Sequence, residues 1–225
     1  MSGWGWRRWT GAVGFLWVVI QVAAVVLFLM AGSPPEFGDA KKFTAWINTN
    51  SGLLMGDAFL TGVATLPLLA QLTGVRSIIR NAGEGWEWAA ALFFGAGTVI
   101  ATVLIIGSAA EATAAFVSGS STEPTAVRAA WAASQMLFTF VYLPASTVFG
   151  VAAYAVFRAG ILPRWLAWLS GVCAVLDLIA GLTIFGGTGN NGPIGLLPLI
   201  LGFVPVFVWF VAVSVVLVRS PRQVT

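Results

Sequence analysis

Six apolar stretches constrain this chain more than any other feature. They run near Gly11–Met30, Gly52–Leu72, Trp88–Ala109, Ala129–Phe157, Trp165–Phe185 and Ile194–Val218. Each is at least about 20 residues long, which at roughly 1.5 Å per residue lets a helix cross a hydrocarbon core of about 30 Å. Lipid offers no water to backbone N–H and C=O groups, so each stretch must close its hydrogen bonds within itself as an α-helix. Only 8% of the side chains are charged, against about 25% in a soluble domain. That is too little charge to cover a water-facing surface. The expected fold is all-α: a polytopic membrane protein, a six-transmembrane-helix bundle forming one transmembrane helical domain over 1–225, with the lipid bilayer as its first partner.

The distribution of Lys and Arg predicts the orientation. Arg7, Arg8, Arg76, Arg80, Arg158, Arg164, Arg219 and Arg222 fall on one side, while Lys41, Lys42 and Arg128 fall on the other, eight against three. Excess positive charge stays cytoplasmic, so the N- and C-termini are both expected inside, in the inner (cytoplasmic) membrane. Trp4, Trp6, Trp9, Trp86, Trp88, Trp165 and Trp168 flank span ends on that same side, where indole rings favour the headgroup level. The first stretch has a signal-like outline, but its apolar run exceeds the 7–15 residues of a signal core, and it reads as a retained helix.

Two loops are long. In the first, Phe37, Ala40, Phe43, Trp46 and Ile47 recur at helical spacing around Asp39, Lys41 and Lys42. This predicts a short amphipathic helix near 37–47 in the outer interface, serving as a hydrophobic lid or as a gate. The second, Ala110–Val127, carries Ser118, Gly119, Ser120, Ser121, Thr122 and Pro124 and reads as exposed coil. Pro67, Pro144, Pro198 and Pro205 lie within spans and are expected to kink or loosen them.

Several chemistries are excluded. The chain has no histidine and one cysteine, Cys173, so sites built on imidazole or on Cys/His sets lack their ligands, as does a disulfide. No cofactor and no metal are expected. The basic residues are scattered among loops, so the net charge of +3 is not a nucleic-acid footprint. The run from Gly187 to Gly192 fits a dinucleotide pattern literally but lacks the preceding strand, and reads as a tight turn closed by Pro193. Gly52 with Gly56, and Gly97 with Ala101, read as close helix contacts.

What remains is polarity in expensive places. A carboxylate at mid-bilayer costs about 2.5–3.5 kcal/mol on insertion scales and usually faces the bundle interior. Asp57 is expected roughly 8 Å below the outer boundary and Asp177 about 12 Å below it, at comparable depth. Gln135, with Ser134 beside it, and Tyr142 two turns deeper fall near that level. Gln21 lies in the middle of the first span, and Glu111 closes the third. The expectation is an outward-opening pocket lined by Gln21, Asp57, Glu111, Gln135, Tyr142 and Asp177, with Asp57 and Asp177 turned toward each other.

The segment Phe149–Leu169 carries a further signal. A helix ends on Arg158, and Gly160-Ile161-Leu162-Pro163-Arg164-Trp165-Leu166 turns into the next span. This resembles a pattern in a group of uncharacterised bacterial six-span integral membrane proteins, a domain of unknown function. Gly38-Asp39-Ala40 followed by Asn48 is similar to that group as well. The resemblance implies fold and location and brings no assigned chemistry.

Three functions follow as expectations. The first is binding or transport of a small or lipid-like molecule in the polar pocket. The second is an accessory or structural membrane subunit, packed on a membrane-protein partner or a second copy. The third is a small intramembrane enzyme acting on a lipidic substrate with paired carboxylates. Catalysis ranks last.

Overall fold

The computed structural model describes residues 3–120, 123–187 and 196–219. All regular structure among them is helical. The elements are α1 (Gly3–Met30), α2 (Ala40–Thr49), α3 (Ser51–Arg80), α4 (Glu87–Ser120), α5 (Pro124–Phe140), α6 (Tyr142–Ala159), α7 (Arg164–Leu182), α8 (Leu196–Pro198) and α9 (Val204–Arg219). A 3-10 turn, Thr183–Phe185, ends α7, and a π-helical turn, Leu199–Phe203, joins α8 to α9. Six helices are long and apolar enough to cross a membrane, with α5 and α6 forming one span of 36 residues. The protein is a multi-pass membrane helical bundle. The turn expected at Gly187–Pro193, the side chain of Trp4 and the tail with Arg222 lie outside the described residues.

The expected spans all appear, several of them longer than their apolar cores. The exposed coil expected at Ala110–Val127 is the clearest correction. Here α4 runs on to Ser120, so its 34 residues reach about 51 Å. The physical reason is the run Ala109-Ala110-Glu111-Ala112-Thr113-Ala114-Ala115, rich in the strongest helix former, with Ala114 and Ala115 buried under the lid.

That lid is α2, found at 40–49 where 37–47 was expected. Asp39 caps it, accepting from the Lys42 N–H at 3.1 Å. Phe43 and Ile47 face inward and pack with Trp131, Leu54, Ala114, Ala115 and Val127. Full burial of each large side chain stabilises the lid by about 1.5–3 kcal/mol. The Trp46 Nε1–H donates to the Ala31 carbonyl at 3.0 Å and ties the lid to the end of α1.

Below the lid, the main core joins α1, α3, α4, α6, α7 and α9 around Leu68, Leu72, Phe93, Phe149 and Trp209. Buried polar pairs fix register in the half nearer the termini. Gln71 Nε2 donates to Ser214 Oγ at 3.1 Å, and Trp209 Nε1 donates to Ser170 Oγ at 2.7 Å. Gly14 permits the close crossing of α1 there, because a Cβ at that position would collide with the side chains of Gln71 and Ser214. Leu16, Val19, Phe59, Leu66, Ile105 and Val175 project outward, as lipid-facing positions require.

The prolines divide as their chemistry dictates. Pro67 is accommodated within an unbroken α3. Pro144 cannot donate to the Phe140 carbonyl, and the regular helix breaks at Val141 between α5 and α6. Pro205 likewise deprives the Leu201 carbonyl of its donor, and the chain there widens into the π-helical turn.

Candidate functional site

Between α1, α3, α4, the α5–α6 junction and the π-helical turn lies a cavity of about 210 Å³. Each wall has a periodic origin. Asp57 and Thr61 stand one turn apart on α3, and Leu104 and Glu111 two turns apart on α4. Gln135, Phe138, Thr139 and Tyr142 follow the i, i+3, i+4, i+7 rule and form one face across the Val141 break. Gln21, Val25 and Phe28 close the α1 side, with Pro198 and Phe203 opposite.

Five of the six expected pocket residues border this cavity: Gln21, Asp57, Glu111, Gln135 and Tyr142. Asp177 does not. It is fully buried on α7, where it interacts electrostatically with Tyr142 and Cys173. The expected Asp57–Asp177 pairing is therefore replaced. Asp57 lies beside Glu111 instead, both carboxyl groups bordering the cavity. The cause is packing: α3 lies directly against α4, whereas α7 lies against α6 and the π-helical turn. Tyr142, at the start of α6, borders the cavity and also interacts with Asp177.

Carboxylate oxygens only accept, so a hydrogen bond between two carboxyls requires a proton on one of them. The Thr61 hydroxyl adds a donor 3.5 Å from Asp57 Oδ1. Glu111 Oε1 and Gln21 Oε1 are buried without a hydrogen-bond partner among the described residues, as are both carboxyl oxygens of Asp177. Among the described residues, no lysine or arginine acts on Asp57, Glu111 or Asp177. The ion pairs Lys42–Asp39 and Arg76–Glu87 both lie at the ends of spans.

The Tyr142 ring is held from behind. Gly202, in the π-helical turn, lies so close that any Cβ there would overlap the ring. Gly181 of α7 approaches the same place, with its Cβ position 2.8 Å from Leu143 Cδ2. Cys173 Sγ meets the Pro205 carbonyl at 3.4 Å, consistent with a small buried side chain.

Sequence reasoning missed Thr61, Phe138 and Thr139, although the spacing of 135, 138, 139 and 142 carries the signal for the last two. No group of three or more metal-ligating side chains occurs among the described residues. Comparison with family models, with curated proteins and with solved structures finds no match to this chain.

Proposed function

We propose that this chain is a bacterial inner-membrane protein with both termini cytoplasmic. It binds or transports a small or lipid-like molecule through the polar cavity around Asp57, Glu111, Gln135 and Tyr142. The observation that carries this reading is the cavity itself, which gathers polar side chains from α1, α3, α4 and α5–α6 around one space. A bundle without a site of its own would have those groups satisfying one another, but Glu111 Oε1 and Gln21 Oε1 have no hydrogen-bond partner among the described residues. This favours binding over an accessory role. Catalysis by a separate acid and base fits less well, because the two carboxyls engage each other as one unit.

Orientation rests on the basic residues. Arg7, Arg8, Arg76, Arg80, Arg158, Arg164 and Arg219 gather at the helix ends on the termini side, while Lys41, Lys42 and Arg128 lie at the lid. Trp9, Trp88, Trp165 and Trp168 are exposed on the termini side, as an interfacial aromatic belt requires.

Cysteine accessibility tests the outward-facing cavity. Cys173 is the only cysteine, so Cys173→Ser clears the background. A membrane-impermeant thiol reagent applied outside right-side-out vesicles labels Gln135→Cys and Thr139→Cys in that background, and spares Asp177→Cys. Absence of labelling at both cavity positions contradicts the reading. Labelling only from the cytoplasmic face reverses the orientation.

A further inference from the structure

We propose that the cavity is filled sideways from the bilayer, through a crevice between α1 and the π-helical turn on the lid side. Its ligand is an uncharged single-chain amphiphile, hydroxyl head inward and chain trailing into the lipid. The ligand class rests on the reading of the cavity as a binding site, and the route on helix packing alone.

The crevice shows on one face of α1. Gly11 and Leu29 lie about five helical turns of 3.6 residues apart, so they point the same way. At Gly11 that direction is filled by α9: a Cβ there would lie 2.8 Å from the Ser214 carbonyl oxygen and 2.8 Å from Val218 Cγ2. At Leu29 it is open, for this side chain borders the cavity and is 62% exposed. Val19, Val22 and Val26 continue the exposed, lipid-facing side of α1 next to it.

The two helices thus touch along the termini half and part toward the lid. Trp17 marks the fork, its ring centroid 5.2 Å from that of Phe207 and 4.2 Å from that of Phe210. One turn further toward the lid, Gln21 on α1 and Phe203 in the π-helical turn border the cavity. The rest of the perimeter is packed: α1 on α3, α3 on α4, α4 on α5 and α6, and α7 on α6 and the π-helical turn. Between α1 and the π-helical turn there is no comparable contact.

Among the described residues the lid end is shut. Leu54 lies one turn above Asp57, Ala114 and Ala115 one turn beyond Glu111, and Trp131 one turn before Gln135. All four are buried and pack with Phe43 and Ile47 of α2. The Phe28 ring stacks on Trp131 with centroids 6.4 Å apart. A solute arriving from directly above must part this cluster, whereas a molecule dissolved in lipid meets the crevice. The crevice rises to Leu29, beside the end of α1 at Met30, so its upper end stands at headgroup level and within reach of a thiol reagent in the outer water.

The order of the walls selects the molecule. The lips are apolar, Val25 and Leu29 on one side and Pro198 and Phe203 on the other. The polar side chains that keep some exposure, Asp57, Gln135 and Tyr142, belong to the farther walls on α3, α5 and α6. An amphiphile matches this order, its head among the polar groups and its chain between the lips. Carrying a charged head past apolar lips costs far more than carrying a hydroxyl. A bare hydrocarbon would bury Asp57 and Gln135 against carbon, and an anionic head would meet Asp57 and Glu111 with no lysine or arginine bordering the cavity. About 210 Å³ exceeds the roughly 150 Å³ that holds benzene, room for the head and the first carbons of a chain.

Photolabelling tests route and head together. Dodecanol, dodecane, dodecyl sulfate and dodecylamine, each with a diazirine at one end (the head end where there is one), are added at equal low mole fraction to vesicles holding the full chain at neutral pH. After irradiation the adducts are mapped by mass spectrometry. Dodecanol is expected to label Leu104, Phe138 and Thr139 at least about tenfold more than the other probes. Leu29→Trp, which fills the crevice from an exposed position, cuts that labelling at least about tenfold, while Val26→Trp on the neighbouring lipid face leaves it unchanged. Undiminished labelling in Leu29→Trp overturns the sideways route. Equal labelling by dodecane overturns the hydroxyl head, and equal labelling by either charged probe overturns its neutrality. Absence of cavity adducts from every probe overturns the whole inference. Thiol labelling of Gln135→Cys then separates the two levels: if it persists, the cavity remains a site for a ligand arriving from water, and if it fails, the binding reading falls as well.

Discussion

Asp57 on α3 and Glu111 on α4 set their carboxyl groups against each other at the edge of the cavity. In water such a contact would be incidental. Inside a hydrocarbon-embedded bundle it is costly, because Glu111 is buried and Asp57 half-buried where apolar residues would pack more cheaply. The pair concentrates acceptor oxygens at one wall of the cavity, and among the described residues no lysine or arginine borders it.

The contact between Tyr142 and Gly202 sets a second wall. Gly202→Ala places a methyl group into the tyrosine ring, and overpacking of this kind costs about 1–3 kcal/mol. Thermal unfolding in detergent should show the loss. Combining Gly202→Ala with Tyr142→Leu should recover part of it, since the clash needs both groups. Strictly additive losses would mean that the ring does not sit on Gly202.

Ser170 and Trp209 make the same argument in the main core. The Ser170 hydroxyl accepts from Trp209 Nε1 at 2.7 Å and donates to the Leu166 carbonyl at 2.7 Å. Ser170→Ala leaves a buried indole N–H unpaired, at about 1–3 kcal/mol. Chemical denaturation followed by tryptophan emission checks this, and a change below about 0.5 kcal/mol contradicts it.

At the lid, acid should act through Asp39. The backbone N–H of Lys42, and then its ammonium, hold the Asp39 carboxyl below its ordinary value of 3.8. A depressed value means the cap contributes stability above about pH 3.8, and that contribution is lost as pH falls through the still lower folded value. Protection of the α2 amides, measured against their intrinsic exchange at each pH, should therefore fall at the acid end of that window and not at neutral pH. Asp39→Asn should abolish this step, and a step that persists assigns it to another group.

Asp177 is buried, and neither of its oxygens has a hydrogen-bond partner among the described residues. Asp177→Asn removes the ionisable group at nearly constant volume, so the melting temperature should stay within a few degrees of the parent, corresponding to less than about 1 kcal/mol. Failure to fold would reveal a partner holding this side chain.

The parts of this molecule legible in its sequence are those governed by length and period. Six apolar runs give six spans, and the Phe43/Ile47 spacing behind Asp39 gives the lid. The spacing from Gln135 to Tyr142 puts both on one face. Rotation of α4 was not legible. That helix is apolar on nearly every side, so nothing in its own residues says which way Glu111 turns. Reading Ala110–Ser120 as coil also removed the turns that hold Glu111 within a helix. Asp177 misled for a related reason. Equal depth placed it beside Asp57, but depth says nothing about azimuth, and the π-helical turn and Tyr142 stand on the side where the cavity would have had to continue.

A double-mutant cycle on Asp57→Ala and Glu111→Ala, with unfolding free energies measured in detergent, tests the carboxyl contact most directly. Each single change leaves one carboxyl without the other, Glu111 buried or Asp57 half-buried, and the double change removes both. The contact predicts a coupling of about 0.5–3 kcal/mol between the two positions. Effects that add within about 0.3–0.5 kcal/mol would mean the two acids do not meet, and would leave the cavity without its charged wall.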